Sequence, residues 1–146
     1  MSARRKWFNF ILFGQREGVI AMKKDIKILI VDDEEIMRDL FTDILQDEGY
    51  NVTTVNNGLQ AQEIAKTAFF DIAFVDVHMP VMDGIKTLHS LRELSPKTVI
   101  VMTDSMPGYM VEEAKKEGAV TCIRKPFDIK EIRSVISEVM ERSENG

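Results

Sequence analysis

From residue 26 onward the chain alternates short unbroken apolar runs with longer stretches whose apolar residues recur every three or four positions. Residues 28–31, 51–55, 72–75, 99–102 and 120–124 read as strands. The first of these, Ile28-Leu29-Ile30-Val31, is rich in β-branched residues and has no polar alternation, the mark of a strand covered on both faces. Between the strands the spacing turns helical. Residues 35–48 carry apolar side chains at 36, 37, 40, 41, 44 and 45, and Gly49 can close that helix in a left-handed turn. Asn57, with Gln60 three residues on, forms an N-terminal cap for a second helix that turns Ala61, Ile64, Ala65 and Ala68 inward. A third helix spans residues 84–94 and is stopped by Pro96. A short fourth runs over 109–117 and ends at Gly118. The fifth starts at the capping pair Asp128 and Glu131 and directs Ile129, Ile132, Val135, Ile136, Val139 and Met140 to one side. Five strands alternating with five helices predict an α/β fold, a doubly wound parallel sheet with helices on both faces.

Charge divides the chain unevenly. Residues 1–24 hold Arg4, Arg5, Lys6, Arg16, Lys23 and Lys24 against Glu17, a net +5, so a total of −5 leaves −10 on the remainder. An acidic body lacks the clustered Lys and Arg that phosphate backbones require, so direct nucleic-acid binding is not expected. The basic, aromatic-rich segment 1–24 has no turn or cap grammar joining it to the first strand. It reads as a flexible extension ahead of Met22, in preference to a signal peptide, whose apolar stretch Asn9 would interrupt, or a membrane-surface anchor. The predicted organisation is therefore an extension at 1–24, one domain at 25–143 and a short tail at 144–146. No apolar run reaches the roughly 20 residues of a membrane helix. The lone Cys122 excludes an intrachain disulfide framework and fits a reducing, cytoplasmic setting.

In open α/β sheets ligands bind beyond the carboxyl ends of the strands. The residues just after each predicted strand are Asp32 and Asp33, Asp76, Thr103 and Lys125. Three carboxylates on one rim repel one another, and a divalent cation resolves the conflict. Mg²⁺ suits oxygen ligands and a phosphate. A carboxylate can then attack a phosphoryl donor, with Lys125 and Thr103 supplying donors to the added charge. His78 and His89 alone make a poor metal pair, and Asp83-Gly84 reads as a turn and helix start.

Asp32-Asp33, Asp76 followed by Met79-Pro80-x-Met82-Asp83-Gly84, then Thr103, then Lys125-Pro126-Phe127, together resemble the receiver domains of bacterial two-component signalling, over about residues 26–141. The resemblance implies strand order 2-1-3-4-5 and Asp76 as phosphoacceptor. It implies that Asp33, Asp76 and the backbone carbonyl of His78 contact Mg²⁺, with Asp32 acting mainly through water. It further implies that Lys125 pairs with the phosphoryl group, that Thr103 assists, and that the Lys125-Pro126 bond is cis. The partners implied are a histidine kinase or histidine phosphotransfer protein upstream and a protein reading the face of helix four, strand five and helix five. The chain is then a switch and not an enzyme in the ordinary sense, since it catalyses only its own phosphorylation and dephosphorylation. It stands alone or forms part of a longer transcriptional regulator. A Mg²⁺-dependent phosphohydrolase of the haloacid-dehalogenase type is the enzyme alternative, but it needs a second Asp where this chain has His78.

Three positions depart from the family pattern. Asp104 follows Thr103, where a small residue is usual, and is expected to cap the turn after it or to crowd the phosphoryl site. His78 occupies a position at which the family varies its dephosphorylation rate. Cys122 stands where an aromatic residue normally couples the threonine to the surface, which moves the expected switch to residues 104–110, with Tyr109.

Overall fold

The structure is a computed structural model, described over residues 25–106 and 110–145. The extension at 1–24 and Tyr109 lie outside the described residues. Five parallel strands, β1 (Lys27–Val31), β2 (Asn51–Val55), β3 (Ile72–Asp76), β4 (Val99–Asp104) and β5 (Thr121–Arg124), form one sheet in the order β2-β1-β3-β4-β5. The helices between and after them are α1 (Glu35–Asp47), α2 (Gly58–Ala65), α3 (Gly84–Leu94), α4 (Met110–Lys116) and α5 (Ile129–Asn145).

Alternate residues of each strand feed opposite sides of the sheet. Leu29, Val31, Ala73, Val75, Ile100 and Met102 meet Ala61, Leu88, Leu91 and Ala114 of α2, α3 and α4. Ile28, Ile30, Ile72, Phe74, Val101 and Ile123 meet Phe41, Leu45, Ile132, Ile136 and Val139 of α1 and α5. Central strands served from both sides explain the unbroken apolar runs: all five residues of β3 are buried.

The caps fall where the sequence puts them. Asn57 Oδ1 accepts from the Gln60 amide at 2.9 Å, and Asp128 Oδ1 from the Glu131 amide at 2.9 Å. Gly49 closes α1 at φ +93, a conformation costly for residues with a Cβ. Two expectations are corrected. The second helix ends at Ala65 and leaves Ala68 exposed, because the amides of Lys66 and Thr67 bond back only three residues, to Glu63 and Ile64, tightening the last turn. On α1 only Phe41 and Leu45 are fully buried, whereas Ile36 is 80% exposed and Leu40 is exposed. At 100° per residue Ile36 and Leu40 lie about 120–160° around the helix from the Phe41–Leu45 line, beyond reach of the sheet. Among the described residues no helix is long and apolar enough to cross a membrane.

Candidate functional site: a carboxylate cluster at the strand ends

β1 and β3 are neighbours in the sheet, with Val31 paired to Val75. The next residues along each strand, Asp32 and Asp76, are thereby brought side by side. Thr103 of β4 is paired with Asp76, and Lys125 comes directly after β5. All five residues predicted from strand ends therefore lie on one rim. Asp32, Asp33 and Asp76 each offer a carboxylate oxygen within 4.8 Å of the others. Asp32 and Asp76 are buried and Asp33 is exposed.

Lys125 is the counter-charge. Its Nζ lies 2.6 Å from Asp32 Oδ2, 3.5 Å from Asp76 Oδ1 and 3.8 Å from Glu34 Oε1, and the residue is only 7% exposed. A backbone hydrogen bond anchors it. Its amide donates to the Asp104 carbonyl at 2.7 Å, and the Lys125-Pro126 peptide is cis, as the resemblance implies. Phe127, two residues on, packs against Phe41 in a tilted pair with ring centroids 4.5 Å apart, and Phe41 meets Phe74 at 5.3 Å. The lysine backbone is thus pinned to the core through three rings. Burial lowers the Lys125 pKa, but the hydrogen bond to Asp32 and the charges of Asp76, Asp32 and Glu34 outweigh it, so the ammonium is held charged.

Asp76 is 4% exposed. Burial pushes its carboxyl up to about 7; Lys125 and the His78 amide pull it down, and Asp32 and Asp33 push it further up. That amide donates to Asp76 Oδ1 at 3.2 Å. Asp32 is fixed separately: Oδ1 accepts from the Glu34 amide at 2.9 Å, and its carbonyl accepts from Arg38 at 2.8 Å. The loop after Asp76 turns through Val81 at φ +70, a left-handed conformation unusual for a β-branched residue, and leaves that side chain exposed. Asp83 caps α3 by accepting from the Lys86 amide at 2.9 Å. Gly84 is there for space: a Cβ on it would lie 2.2 Å from the Asp76 carbonyl oxygen.

Some of the site was not anticipated. Asp104 does cap the turn after it, accepting from the Met106 amide at 2.9 Å. It is also fully buried, and its Oδ1 lies 3.2 Å from His78 Nε2. Burial of an acid at a position that normally takes a small side chain carries no pattern in the sequence. Glu34 beside Lys125 was likewise missed. His89 is a surface residue of α3, near Glu93 and Glu117.

The sequence profile of the response regulator receiver domain matches residues 28–137. Sporulation initiation phosphotransferase F of Bacillus subtilis is 38% identical over 120 residues, covering 82% of this chain and 97% of that protein. The transcriptional regulatory protein ZraR of Klebsiella oxytoca is 34% identical over 118 residues, but these cover 80% of this chain and only 27% of ZraR. Among solved structures, the CheX-CheY-BeF3-Mg+2 complex from Borrelia burgdorferi contains a similar chain, at 29% identity and TM-score 0.75, covering 79% of this chain and 89% of that one. These matches favour a phosphoryl-accepting receiver over a phosphohydrolase, and the chain belongs to the response regulator receiver domain family of two-component signalling.

Proposed function

We propose that this receiver is a phosphorylation-controlled switch whose phosphoacceptor is Asp76, loaded in a Mg²⁺-dependent reaction by a histidine kinase or histidine phosphotransfer protein. The observation that carries the reading is the position of Lys125 Nζ between Asp32 and Asp76, beside a cluster of three carboxylates.

The donor set fits Mg²⁺. It offers hard oxygens only, clustered tightly and in excess of the local positive charge. Asp33 and Asp76, with the backbone carbonyl of His78, would hold the ion, and Asp32 would act mainly through water. Bound there, Mg²⁺ supplies positive charge to the carboxylates and to the phosphoryl oxygens. The protein's own groups do the rest. A carboxylate oxygen of Asp76 attacks the donor phosphorus; the new P–O bond forms as the bond to the donor's imidazole nitrogen breaks, and that nitrogen keeps the electron pair. Lys125 meets the incoming negative charge as a fixed ammonium, and the Thr103 hydroxyl donates to a phosphoryl oxygen.

The phosphorylated state is read by a protein partner at the face formed by α4, β5 and α5, and the proposed setting is the cytoplasm. Acetyl phosphate with Mg²⁺ should add one phosphoryl mass to the intact chain, and Asp76→Asn should abolish the gain. Undiminished labelling of that variant would refute the assignment. Asp33→Ala should weaken Mg²⁺ binding more than Asp32→Ala; equal losses would contradict the division of roles between them.

A further inference from the structure

At 100° per residue, Ile36, Asp39, Leu40 and Asp43 fall within about 100° of arc on α1, turned away from the Phe41–Leu45 line that packs on the sheet. All four are exposed, Ile36 at 80%. Ile36 and Leu40 lie one turn apart and so form a continuous apolar strip in water. Glu35, Asp39 and Asp43 flank it, and among the described residues none of these three carboxylates forms an ion pair. Arg38, the one basic residue of α1, is engaged elsewhere, donating to the Asp32 carbonyl at 2.8 Å. An apolar strip edged with acids calls for a partner that is apolar and basic at once.

The chain itself holds such a partner. Residues 4–13 read Arg4-Arg5-Lys6 and then Trp7-Phe8-Asn9-Phe10-Ile11-Leu12-Phe13, a cationic run followed by apolar side chains broken only at Asn9. Reach is sufficient. Ile26 shares a core cluster with Phe41 and Leu45, so the chain enters the domain on the α1 side of the sheet. Its carbonyl accepts at 3.0 Å from the amide of Asn51, just past the end of α1. From that end Leu40 lies about 10 Å and Ile36 about 16 Å along the helix. Residues 14–24 span up to about 36 Å when extended. Two competing occupants are disfavoured. A tether this short holds the segment at a local concentration on the order of millimolar, above what a second copy supplies in dilute solution. An anionic lipid surface would attract the segment but repel the acidic remainder of the chain.

We propose that residues 4–13 dock on the outer face of α1 of the same chain, with the Trp7–Phe13 run over Ile36 and Leu40, and Arg4, Arg5 and Lys6 against Glu35, Asp39 and Asp43. The covered strip borders the strand-end rim: Glu34, at the head of α1, has Oε1 3.8 Å from Lys125 Nζ. The docked segment therefore shields one flank of the site, and a macromolecule approaching along α1 must displace it. The contact does not depend on which carboxylate accepts a phosphoryl group.

Trp7 is the only tryptophan in the chain, so its fluorescence reports on the segment alone. In the full chain at low salt, acrylamide should quench it at least about twofold more weakly than after unfolding in guanidinium, as for a segment docked most of the time. Ile36→Gln with Leu40→Gln should raise quenching to the unfolded level; both side chains are exposed, and far-UV circular dichroism checks that the fold is kept. Asp39→Lys with Asp43→Lys should do the same, and adding Arg4→Glu, Arg5→Glu and Lys6→Glu should restore the protection. Salt should weaken protection in the parent chain, as it does for surface charges. Strong quenching of the parent at low salt would overturn the proposal. So would protection that none of the α1 substitutions changes, since the segment would then lie elsewhere. Protection that grows with protein concentration would assign the face to a second copy, and protection seen only with phosphatidylserine vesicles would assign the segment to lipid. Either result overturns the contact within one chain.

Discussion

The two ends of the same sheet are built on opposite principles. At the end where the strands begin, Thr98 and Asp71 each have a hydrogen-bond partner at hand. Thr98 is buried, and its hydroxyl donates to the Phe70 carbonyl at 2.7 Å and shares a second bond with Ser95 at 2.7 Å. Asp71 ties down the Lys27 amide at 2.9 Å. At the end where the strands finish, Asp32, Asp76, Asp104 and Lys125 are all buried, three carboxylates to one ammonium. Hydrogen bonds stabilise the first end. The second is left with excess negative charge that an incoming cation can relieve. The contrast separates what holds the fold from what the fold is for: conflict among buried groups is concentrated where chemistry occurs.

The largest expected effect tests the one ion that balances the strand-finish end. Lys125→Met leaves Asp32 buried without its 2.6 Å partner, and breaking such a pair costs about 3–5 kcal/mol. Urea unfolding should show most of that loss in metal-free buffer and less with Mg²⁺; a loss that Mg²⁺ leaves untouched would break the idea that one cation can substitute for another there. Next is Gly84→Ala. Its Cβ would sit 2.2 Å from the Asp76 carbonyl oxygen, so the backbone of the proposed acceptor must move. Overpacking of this kind costs roughly 1–3 kcal/mol, and phosphorylation should fall more steeply than stability. Full labelling of this variant would show that the acceptor loop tolerates displacement.

Asp76→Asn should move stability the other way. Burial raises the Asp76 carboxyl to about 7 from 3.8. In the metal-free protein the fold therefore favours the protonated form. The stability this contributes is present in full below about pH 4 and disappears as pH rises through about 7. At pH 8 the amide variant should melt several degrees higher than the parent without Mg²⁺, and the gap should narrow towards pH 4. A gap of the same size at both pH values would exclude the buried carboxylate as its source. The smallest effect belongs to the other end: Thr98→Val should cost about 1 kcal/mol, the usual worth of a satisfied hydrogen bond, and leave labelling by acetyl phosphate unchanged. A drop in labelling would mean that the two ends are coupled through the sheet.

Much of this was legible in the sequence because periodicity and strand-end position are local properties. β2 at Asn51–Val55 and α3 at Gly84–Leu94 lie within the bounds that spacing predicts. Gathering Asp32, Asp33, Asp76, Thr103 and Lys125 required only knowing where strands stop. The features that escaped depend on three-dimensional context. Ile36 and Leu40 share the helical period of α1 but lie too far around it to meet the sheet. Asp104 looks like an ordinary turn residue until the β3–α3 loop brings His78 against it. Glu34 reaches Lys125 across 91 positions of chain (125 − 34), and no pattern in the residues between them announces the contact.

Cys122 lies half-buried on β5, its backbone paired with Met102. Burial, reinforced by the charge of Asp104 against the weaker pull of Lys115, lifts its thiol to about 11. At neutral pH little of it is thiolate, the form that reacts with alkylating agents. It is also the only sulfhydryl in the chain. The protein therefore carries its own chemical clock for this strand: native Cys122 should alkylate far more slowly than a free thiol. Any event that withdraws Asp104 or loosens the pairing of β4 with β5 should register as faster modification at a single, uniquely assignable atom.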